Sequence, residues 1–284
     1  MPELPEVEVT AQALRPALVG GQVVAWTCSG KRLRHPLPRR ALADLVGQPL
    51  LAVGRRAKYV LLEFPQGWLA VHLGMSGSLQ CVPCAQPPQM HDHLRMTFRC
   101  VDQVRDVVFH DPRRFGSIQW VGRSTLGSGD IASALGTSAR GIEPLDSEFT
   151  GAYLFERSRQ RQTSVKSWLM SGETVVGVGN IYACEALFAA QVHPKKKAGA
   201  LSKAACEALA QHIRRILQAA IAHGGSTISD FVSPDGQAGR YGQSHQVYGH
   251  KGDPCPRCGP HRGTRIRRIV QQQRSTFYCH GCQR

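Results

Sequence analysis

Apolar and polar residues follow two different patterns along the 284-residue chain. A helical spacing near the N-terminus predicts one amphipathic helix that ends at Gly20-Gly21. In the next hundred residues, short apolar or alternating runs are separated by turn residues, which predicts a series of strands typical of a sandwich or a barrel. The predicted strands are Gln22–Cys28, Leu50–Val53, Tyr59–Phe64, Trp68–Leu73, Leu94–Cys100, Val104–His110 and Ser117–Val121.

Helical spacing replaces the strand pattern near Glu148 and continues to about Gly224. It is clearest in Leu201–Ala222, where one face of the predicted helix is apolar. The segment Ser233–Gly249 is rich in glycine and polar residues, so we predict a loop. The last thirty residues form a separate small module. The apolar stripe of the long helix consists of Leu209, Ile213, Ile216, Leu217 and Ala220.

Two C-x-x-C pairs near the C-terminus, Cys255 with Cys258 and Cys279 with Cys282, are separated by twenty residues. Four thiolates at this spacing suit one structural zinc ion with tetrahedral coordination. The intervening residues contain five arginines and strand-like apolar positions, a composition that suits contact with the DNA backbone. A third pair, Cys81 and Cys84, lacks a partner pair and is interpreted as incidental thiols.

The net charge narrows the class of partner. Lys and Arg number 35 against 20 Asp and Glu, which gives +15 and a pI near 9.8. This balance favours a polyanion, either nucleic acid or an acidic membrane. No run approaches the ~18 apolar residues of a membrane span, and the N-terminus does not resemble a signal peptide. We therefore expect a cytoplasmic protein without a membrane partner, whose cysteines are thiols or metal ligands.

The opening residues Pro2 and Glu3 are the strongest candidates for catalysis. If Met1 is removed, the Pro2 nitrogen becomes a secondary amine, and a terminal amine titrates near ~7.7–8.0. Such an amine can add to a sugar aldehyde and form an iminium ion. The start of a helix lowers an amine pKa and favours a nearby carboxylate. The alternative is an ordinary helix start with acidic residues.

Three further motifs in the first half each have a functional and a structural interpretation. Arg55–Lys58 lies between strands and is either a nucleic-acid contact or a solvated charged turn. Met75 lies between two glycines, which indicates presentation at a tight turn, although methionine is more often a core residue. His91-Asp92-His93 is either a metal-site fragment or, as we favour, a hydrogen-bonded structural cluster.

Two more motifs suit contact with nucleic acid. In Asp111–Gly116, Arg113 and Phe115 place positive charge beside a ring that can stack or wedge. The alternative is a surface turn with one buried phenylalanine. In Val175–Tyr182, Asn180 is predicted to cap a helix whose free N–H groups can hold a phosphate, or to be a plain cap.

These motifs, in this order, resemble the formamidopyrimidine-DNA glycosylases, bacterial base-excision enzymes that remove oxidised purines. Leu4 favours this family over the related endonuclease VIII. The resemblance implies an α+β fold with an N-terminal β-sandwich (1–135), a hinge (136–147), a helical domain with a helix–two-turn–helix motif (148–232), and a capping loop with a zinc-ribbon hairpin (233–284). The matching segments are Pro2–Glu8, Arg55–Tyr59, His72–Ser78, Asp111–Gly116, Val176–Tyr182, Gly224–Phe231 and Gln273–Cys279.

The resemblance also implies a role for each matching residue. Pro2 would attack the sugar C1′ of the damaged nucleotide, and Glu3 would move protons during ring opening. Lys58 and Arg274 would hold phosphates and take part in catalysis, whereas His72, His93 and Asn180 would bind DNA. Met75, Arg113 and Phe115 would fill the gap left by the extruded base, and Ser233–Gly242 would cover that base. The implied protein is a monomeric glycosylase and AP lyase that carries one structural zinc, acts on damaged double-stranded DNA and cleaves it by β,δ-elimination.

Two alternatives remain open at this point. An endonuclease VIII-like enzyme would prefer oxidised pyrimidines, and a non-catalytic zinc-ribbon protein would bind DNA without cleaving it. The sequence also departs from the family pattern in three places. The hinge segment Leu135–Leu145 is longer, Gln160-Arg161-Gln162 replaces a lysine run, and the zinc hairpin is longer through Pro260–Gly263.

Overall fold

A computed structural model describes residues 1–84, 86–101, 103–126, 131–135, 140–226, 239–259 and 263–284. These residues cluster into two compact units, Met1–Thr137 with His223–Gly242, and Ser138–Ala222 with Gln243–Arg284. The predicted domain boundaries stay predictions. Within the described ranges, no helix has both the length and the apolar character needed to cross a membrane.

The first unit is a β-sandwich preceded by one helix. Its elements are α1 (Leu4–Leu18), β1 (Gln22–Cys28), α2 (Arg39–Asp44), β2 (Ala52–Arg56), β3 (Tyr59–Phe64), β4 (Gly67–His72), β5 (Ser78–Pro83), β6 (Asp92–Arg99), β7 (Val104–His110), β8 (Ser117–Gly122), α3 (Arg123–Leu126) and α4 (Ile131–Ala134). Two four-stranded antiparallel sheets have the strand orders β1-β6-β7-β5 and β2-β3-β4-β8. This arrangement confirms the α+β class.

One hydrophobic core joins the two sheets and α1. Phe98 and Phe109 from the first sheet and Phe64 from the second are completely buried in it. The predicted stripe of α1 is buried as well, so the helix covers the sandwich with its apolar face. Burial of each such side chain contributes about 1.5–3 kcal/mol to folding. The buried residues of that stripe are Val7, Ala11, Leu14 and Leu18.

All seven predicted strands overlap a strand of the structure, and three of them also have its bounds. Gln22–Cys28, Tyr59–Phe64 and Val104–His110 were predicted with the bounds that the structure has. The prediction Leu50–Val53 was wrong by two to three residues, because the backbone of Leu50 pairs with Gly20 and Gly21 outside the sheet. Three other strands differ by one or two residues at their ends: Trp68–Leu73 against β4, Leu94–Cys100 against β6 and Ser117–Val121 against β8.

Four short elements of this unit were not predicted: α2, β5, α3 and α4. In β5, polar Ser78 and Gln80 alternate with apolar Leu79 and Cys81, so a strand signal was present and was missed. The helix α2 is only six residues long and buries Leu42 alone.

The second unit contains helices and a two-stranded sheet. Its elements are α5 (Gly151–Ser158), α6 (Val165–Met170), α7 (Asn180–Ala189), α8 (Lys203–Ala222), β9 (Ile266–Gln271) and β10 (Arg274–Cys279), with a short 3-10 helix at Ala198–Ala200. A second 3-10 helix spans Tyr241–Ser244. All five residues of the predicted α8 stripe are buried. In the predicted hinge, residues 136–139 lie outside the described residues, and Ile142 pairs with Val175.

The hairpin β9–β10 closes through a two-residue turn. Gln271 pairs with Arg274, so Gln272 and Gln273 form the turn, with φ of 47° and 60°. Two-residue hairpin turns of this mirror-image type need positive φ at both positions and favour Asn-Gly. Arg274 therefore comes directly after a turn of two glutamines, and positive φ is uncommon for residues other than glycine.

Candidate functional site

The start of α1 is held by a buried carboxylate. Glu3 is the residue that caps the helix, and its N–H donates to Glu6 Oε2 at 2.8 Å. Pro2 and Glu3 are both buried, with Glu3 only 2% exposed. The structure therefore places the two predicted catalytic residues at the positive end of α1, in a geometry that Glu6 fixes.

The second oxygen of Glu6 binds a distant segment. Glu6 Oε1 accepts the N–H of Ser226 at 2.8 Å. Residues 223–226 and 239–241 pair with each other and form a stem. Arg240 N–H donates to His223 O, and Tyr241 N–H donates to Gly225 O. Most of the predicted capping loop, including Gly236, lies in residues 227–238, outside the described residues.

The stem requires glycine at one position because its two sides touch. A Cβ at Gly239 would lie 2.4 Å from the carbonyl oxygen of Gly225. The two ends of the loop are thus joined to each other and, through Glu6, to the start of α1. From the sequence, Glu6 was placed in the first turn of the helix but given no contact, although a Glu three residues after a helix cap is a signal for one.

The motif Arg55–Lys58 is not a solvated turn as a whole. Arg55 Nε donates to Glu8 Oε2 at 2.9 Å, and only 7% of the Arg55 side chain is exposed. Ala57 forms the turn with φ of 54°. Lys58 comes directly before β3 and is partly buried. Arg55 therefore stabilises α1 against β2, while the turn carries Lys58.

His72 is held as a neutral ring. Its Nδ1 accepts the N–H of Gly74 at 3.0 Å, which places the ring proton on Nε2. Burial and, to a smaller extent, the positive charges of Lys58 and Arg34 together lower the pKa of His72 to about 4. A ring in this state can donate one hydrogen bond from Nε2 without carrying charge.

Two tight turns meet beside His72 and expose two large side chains. Met75 is 40% exposed and Phe115 is 48% exposed, so the core alternatives for both residues are wrong. The guanidinium of Arg113 lies over the Phe115 ring, 5.0 Å from its centroid. A Cβ at Gly74 would lie 2.5 Å from the backbone nitrogen of Gly116, which shows how closely the turns pack.

Asp111 joins these two turns. It is completely buried, and it accepts the Ser76 hydroxyl at 2.9 Å and the Gly116 N–H at 2.8 Å. Sequence reasoning included Asp111 in a motif but gave it no role. Its carboxylate fixes the distance between Met75 on one turn and Phe115 on the other.

His93 occupies a structural position. It is 1% exposed, its Nδ1 bonds to the Ser29 hydroxyl at 2.9 Å, and its Nε2 bonds to the Asp111 carbonyl at 3.0 Å. Burial also lowers its pKa. This geometry favours the hydrogen-bonded cluster, and the predicted DNA contact of His93 stays a prediction. Among the described residues, the only cluster of potential metal ligands lies elsewhere.

The prediction that Asn180 caps α7 was wrong. Gly179 is the capping residue, with extended φ and ψ of −115° and −156°, and Asn180 is the first helical residue. The side chain of Asn180 bonds across the unit instead, because Nδ2 donates to Ser275 O at 3.0 Å and Oδ1 accepts from Lys166 Nζ at 2.5 Å. Arg274 lies directly before Ser275 and is exposed.

The four predicted metal ligands converge. The Sγ atoms of Cys255, Cys258, Cys279 and Cys282 all lie within 4.8 Å of one another. The Cys255–Cys282 and Cys258–Cys279 Sγ distances are 3.9 and 3.7 Å. Zinc–sulfur bonds of ~2.3 Å in a tetrahedron imply sulfur–sulfur distances of roughly 3.8 Å. The four cysteines can therefore hold a metal ion at the end of β10.

Family models and relatives match almost the whole chain. Residues 1–118 match the formamidopyrimidine-DNA glycosylase N-terminal domain, and residues 140–232 match the H2TH domain of the same family. A formamidopyrimidine-DNA glycosylase of Escherichia coli is 44% identical over 284 residues and covers all of both chains.

Solved structures of similar proteins contain DNA. MutM in complex with DNA containing carbocyclic 8-oxo-G matches with a TM-score of 0.86 and 30% identity over all of both chains. A mutant of the Lactococcus lactis FPG, in complex with DNA containing Fapy-dG, matches with a TM-score of 0.86 and 29% identity over all of both chains.

Proposed function

Because this chain belongs to the formamidopyrimidine-DNA glycosylase family of DNA repair, we propose that it removes oxidised purines from damaged double-stranded DNA and then nicks the strand. The proposed substrates are 8-oxoguanine and formamidopyrimidines. We further propose that the protein acts as a monomer in the cytoplasm. The observation that carries the proposal is the placement of Pro2 and Glu3 at the start of α1, where Glu6 holds the backbone.

The proposed chemistry begins once Met1 is removed. The Pro2 nitrogen attacks C1′ of the damaged nucleotide, the bond between C1′ and the base breaks, and the base leaves as the sugar ring opens. Glu3 assists ring opening and proton transfer. The resulting iminium ion makes the C2′ proton acidic. Loss of that proton expels the 3′ phosphate by β-elimination, and a second elimination expels the 5′ phosphate.

Four cationic or polar residues are proposed to hold the DNA backbone around the lesion. Lys58 follows the turn between β2 and β3, and Arg274 begins β10; both are also proposed to assist the eliminations. His72 would donate from its neutral Nε2, since Nδ1 is already used by Gly74. Asn180 would donate from Nδ2. These contacts provide sequence-independent affinity.

Three further residues are proposed to stabilise the duplex after the base is extruded. Met75 and Phe115 are exposed on neighbouring turns, and Arg113 stacks on Phe115. Extrusion of a base costs a few kcal/mol, and side chains inserted into the gap offset part of that cost. Asp111 would keep the two turns at a fixed separation.

The metal at the cysteine cluster is proposed to be one structural zinc ion. The four thiolates fit a closed tetrahedral site without a position for water. The zinc would order the hairpin that presents Arg274, because a two-stranded hairpin is marginal by itself.

The function is tested with the full chain after Met1 removal. Duplexes that carry 8-oxoguanine, an oxidised pyrimidine or no lesion are incubated with the protein, with and without sodium borohydride. We expect cleavage and a borohydride-trapped adduct at Pro2 with the 8-oxoguanine duplex. Faster turnover of the oxidised pyrimidine would favour the endonuclease VIII-like alternative. Binding without cleavage of any duplex would overturn the enzymatic proposal in favour of a non-catalytic binder.

Chain that retains Met1 provides the matched control, since its Pro2 nitrogen is an amide and cannot form an iminium ion. We expect no trapped adduct from this form. Equal trapping by both forms would show that the nucleophile is a lysine rather than Pro2, and Lys58 would be the first lysine to test.

A further inference from the structure

A lysine that the sequence patterns did not single out lies buried beside the proposed phosphate site. Lys166, on α6, is 1% exposed. Its Nζ donates to Asn180 Oδ1 at 2.5 Å and to the Thr276 hydroxyl at 2.6 Å, and it lies 3.4 Å from the Ser275 carbonyl. Lysine is almost never fully buried unless its ammonium group is paired. Hydrophobic packing alone therefore does not account for the burial of Lys166.

The ammonium group determines which way the Asn180 amide points. A lysine ammonium only donates hydrogen bonds, whereas an asparagine amide accepts at Oδ1 and donates at Nδ2. Oδ1 must therefore face Lys166, which leaves Nδ2 as the donor, with one N–H donated to Ser275 O at 3.0 Å. DNA phosphates only accept, so an Asn180 with its amide reversed would present the wrong atom.

A buried carboxylate on the same helix as Asn180 stabilises the neighbouring segment 246–248. Glu185 lies on α7, as Asn180 does, and is 4% exposed. Its carboxylate accepts the backbone N–H groups of Gln246, Val247 and Tyr248 at 2.9, 3.0 and 2.8 Å. The Tyr248 hydroxyl in turn accepts from Asn180 Nδ2 at 3.4 Å, a longer bond than the one to Ser275 O.

We propose that Lys166 is a positioning residue of the phosphate site, whose buried ammonium holds the Asn180 amide so that one Nδ2 N–H can exchange its long bond to the Tyr248 hydroxyl for a bond to a DNA phosphate. The inference rests on the proposed phosphate role of Asn180. Lys166 itself is too buried to touch DNA, so its effect on binding passes through Asn180. Loss of the ammonium removes the hydrogen bond to Oδ1 and allows the amide to turn over.

The test is a double-mutant cycle on the full, zinc-loaded chain. Lys166→Met, Asn180→Ala and the double variant are compared for affinity toward a duplex with an abasic-site analogue. We expect each single variant to bind about tenfold more weakly, the loss of one good hydrogen bond. The double variant should bind no more than about twofold worse than either single one, because both changes remove the same contact. The matched control Lys203→Met removes an exposed lysine of α8 and should bind as wild type does.

Zinc content and Tm are measured on every variant. If Lys166→Met does not fold, Asn180→Asp replaces it as the probe. The Tm of this variant should stay above that of Asn180→Ala, because aspartate still offers the buried ammonium an acceptor whereas alanine offers none, and both variants lose the bond to Ser275 O. DNA binding should fall because the N–H donor is lost. A Tm equal to or below that of Asn180→Ala would overturn the pairing of Lys166 with position 180.

The outcomes separate the two claims. If Asn180→Ala binds DNA as tightly as wild type, Asn180 does not hold a phosphate, and the positioning role of Lys166 is overturned with it. If Asn180→Ala weakens binding but Lys166→Met does not, or if the two losses multiply, the phosphate role stands and the inference alone is overturned.

Discussion

Glu6 and Ser226 are joined by a hydrogen bond of 2.8 Å although 220 residues of sequence separate them. The same carboxylate accepts the N–H of Glu3 at 2.8 Å. Glu6 is completely buried, so solvent cannot replace either bond. One side chain thereby fixes both the helix start that carries the proposed nucleophile and the stem from which the predicted capping loop extends.

Replacement Glu6→Gln is expected to destabilise the protein by about 1–3 kcal/mol, because the amide can accept only one of the two N–H groups and its NH2 faces the other. Urea unfolding at neutral pH measures this loss. Asp44→Asn, on exposed α2, is the control and should change stability by less than about 0.5 kcal/mol. Equal effects of the two variants would contradict the tethering role of Glu6.

His72 is expected to make stability depend on pH. Its pKa is about 4 in the folded protein and ~6.5 in an unfolded chain. The unfolded state therefore binds more protons between these values, so stability is fully present above pH ~6.5 and is lost as the pH falls toward 4.

The contribution of His72 should amount to about 2 kcal/mol between pH 7 and pH 5. His72→Asn retains an acceptor for the Gly74 N–H but does not titrate in this range, so its stability should fall less over the same interval. Urea unfolding of both proteins at the two pH values gives the comparison. Parallel pH profiles would show that His72 is not the group responsible.

Replacement Cys279→Ser is expected to release the metal, because zinc sites of four thiolates lose most of their affinity with one ligand. Binding to any duplex should fall with it, since the hairpin that carries Arg274 is no longer ordered. Elemental analysis and a binding titration measure the two effects together. Cys84→Ser, an exposed thiol outside the cluster, should leave one zinc per chain. Active wild-type protein without zinc would contradict the assignment of the metal.

Replacement Arg274→Ala is expected to weaken binding to damaged and undamaged duplexes alike, because a phosphate contact does not read sequence. The slope of log K against log salt should become less steep by about one unit. Arg39→Ala removes the same charge from exposed α2 and should leave the slope unchanged. Identical slopes for wild type and Arg274→Ala would exclude the phosphate contact.

Local patterns were sufficient for most of the fold. The α1 and α8 stripes, three strands with the bounds that the structure has and the spacing of the zinc cysteines were all predicted, because each is a periodicity within a short segment. The helix α2 was not predicted, because six residues are less than two turns of helical periodicity, and β5 was missed although Leu79 and Cys81 alternate with polar residues. The cap of α7 was assigned to Asn180 rather than to Gly179, because asparagine is the commoner capping residue.

The sequence alone determined which residue types the chemistry requires: a proline and a glutamate at the N-terminus, four cysteines, and exposed cations and aromatics in short motifs. Only the tertiary structure decided which buried polar side chains keep these residues in position. Glu6 reaches Ser226 across 220 positions, and Lys166 reaches Thr276 across 110. Hydrophobic periodicity is set by neighbours three or four residues away, whereas a buried carboxylate or ammonium is satisfied by whichever donor or acceptor the path of the chain brings to it.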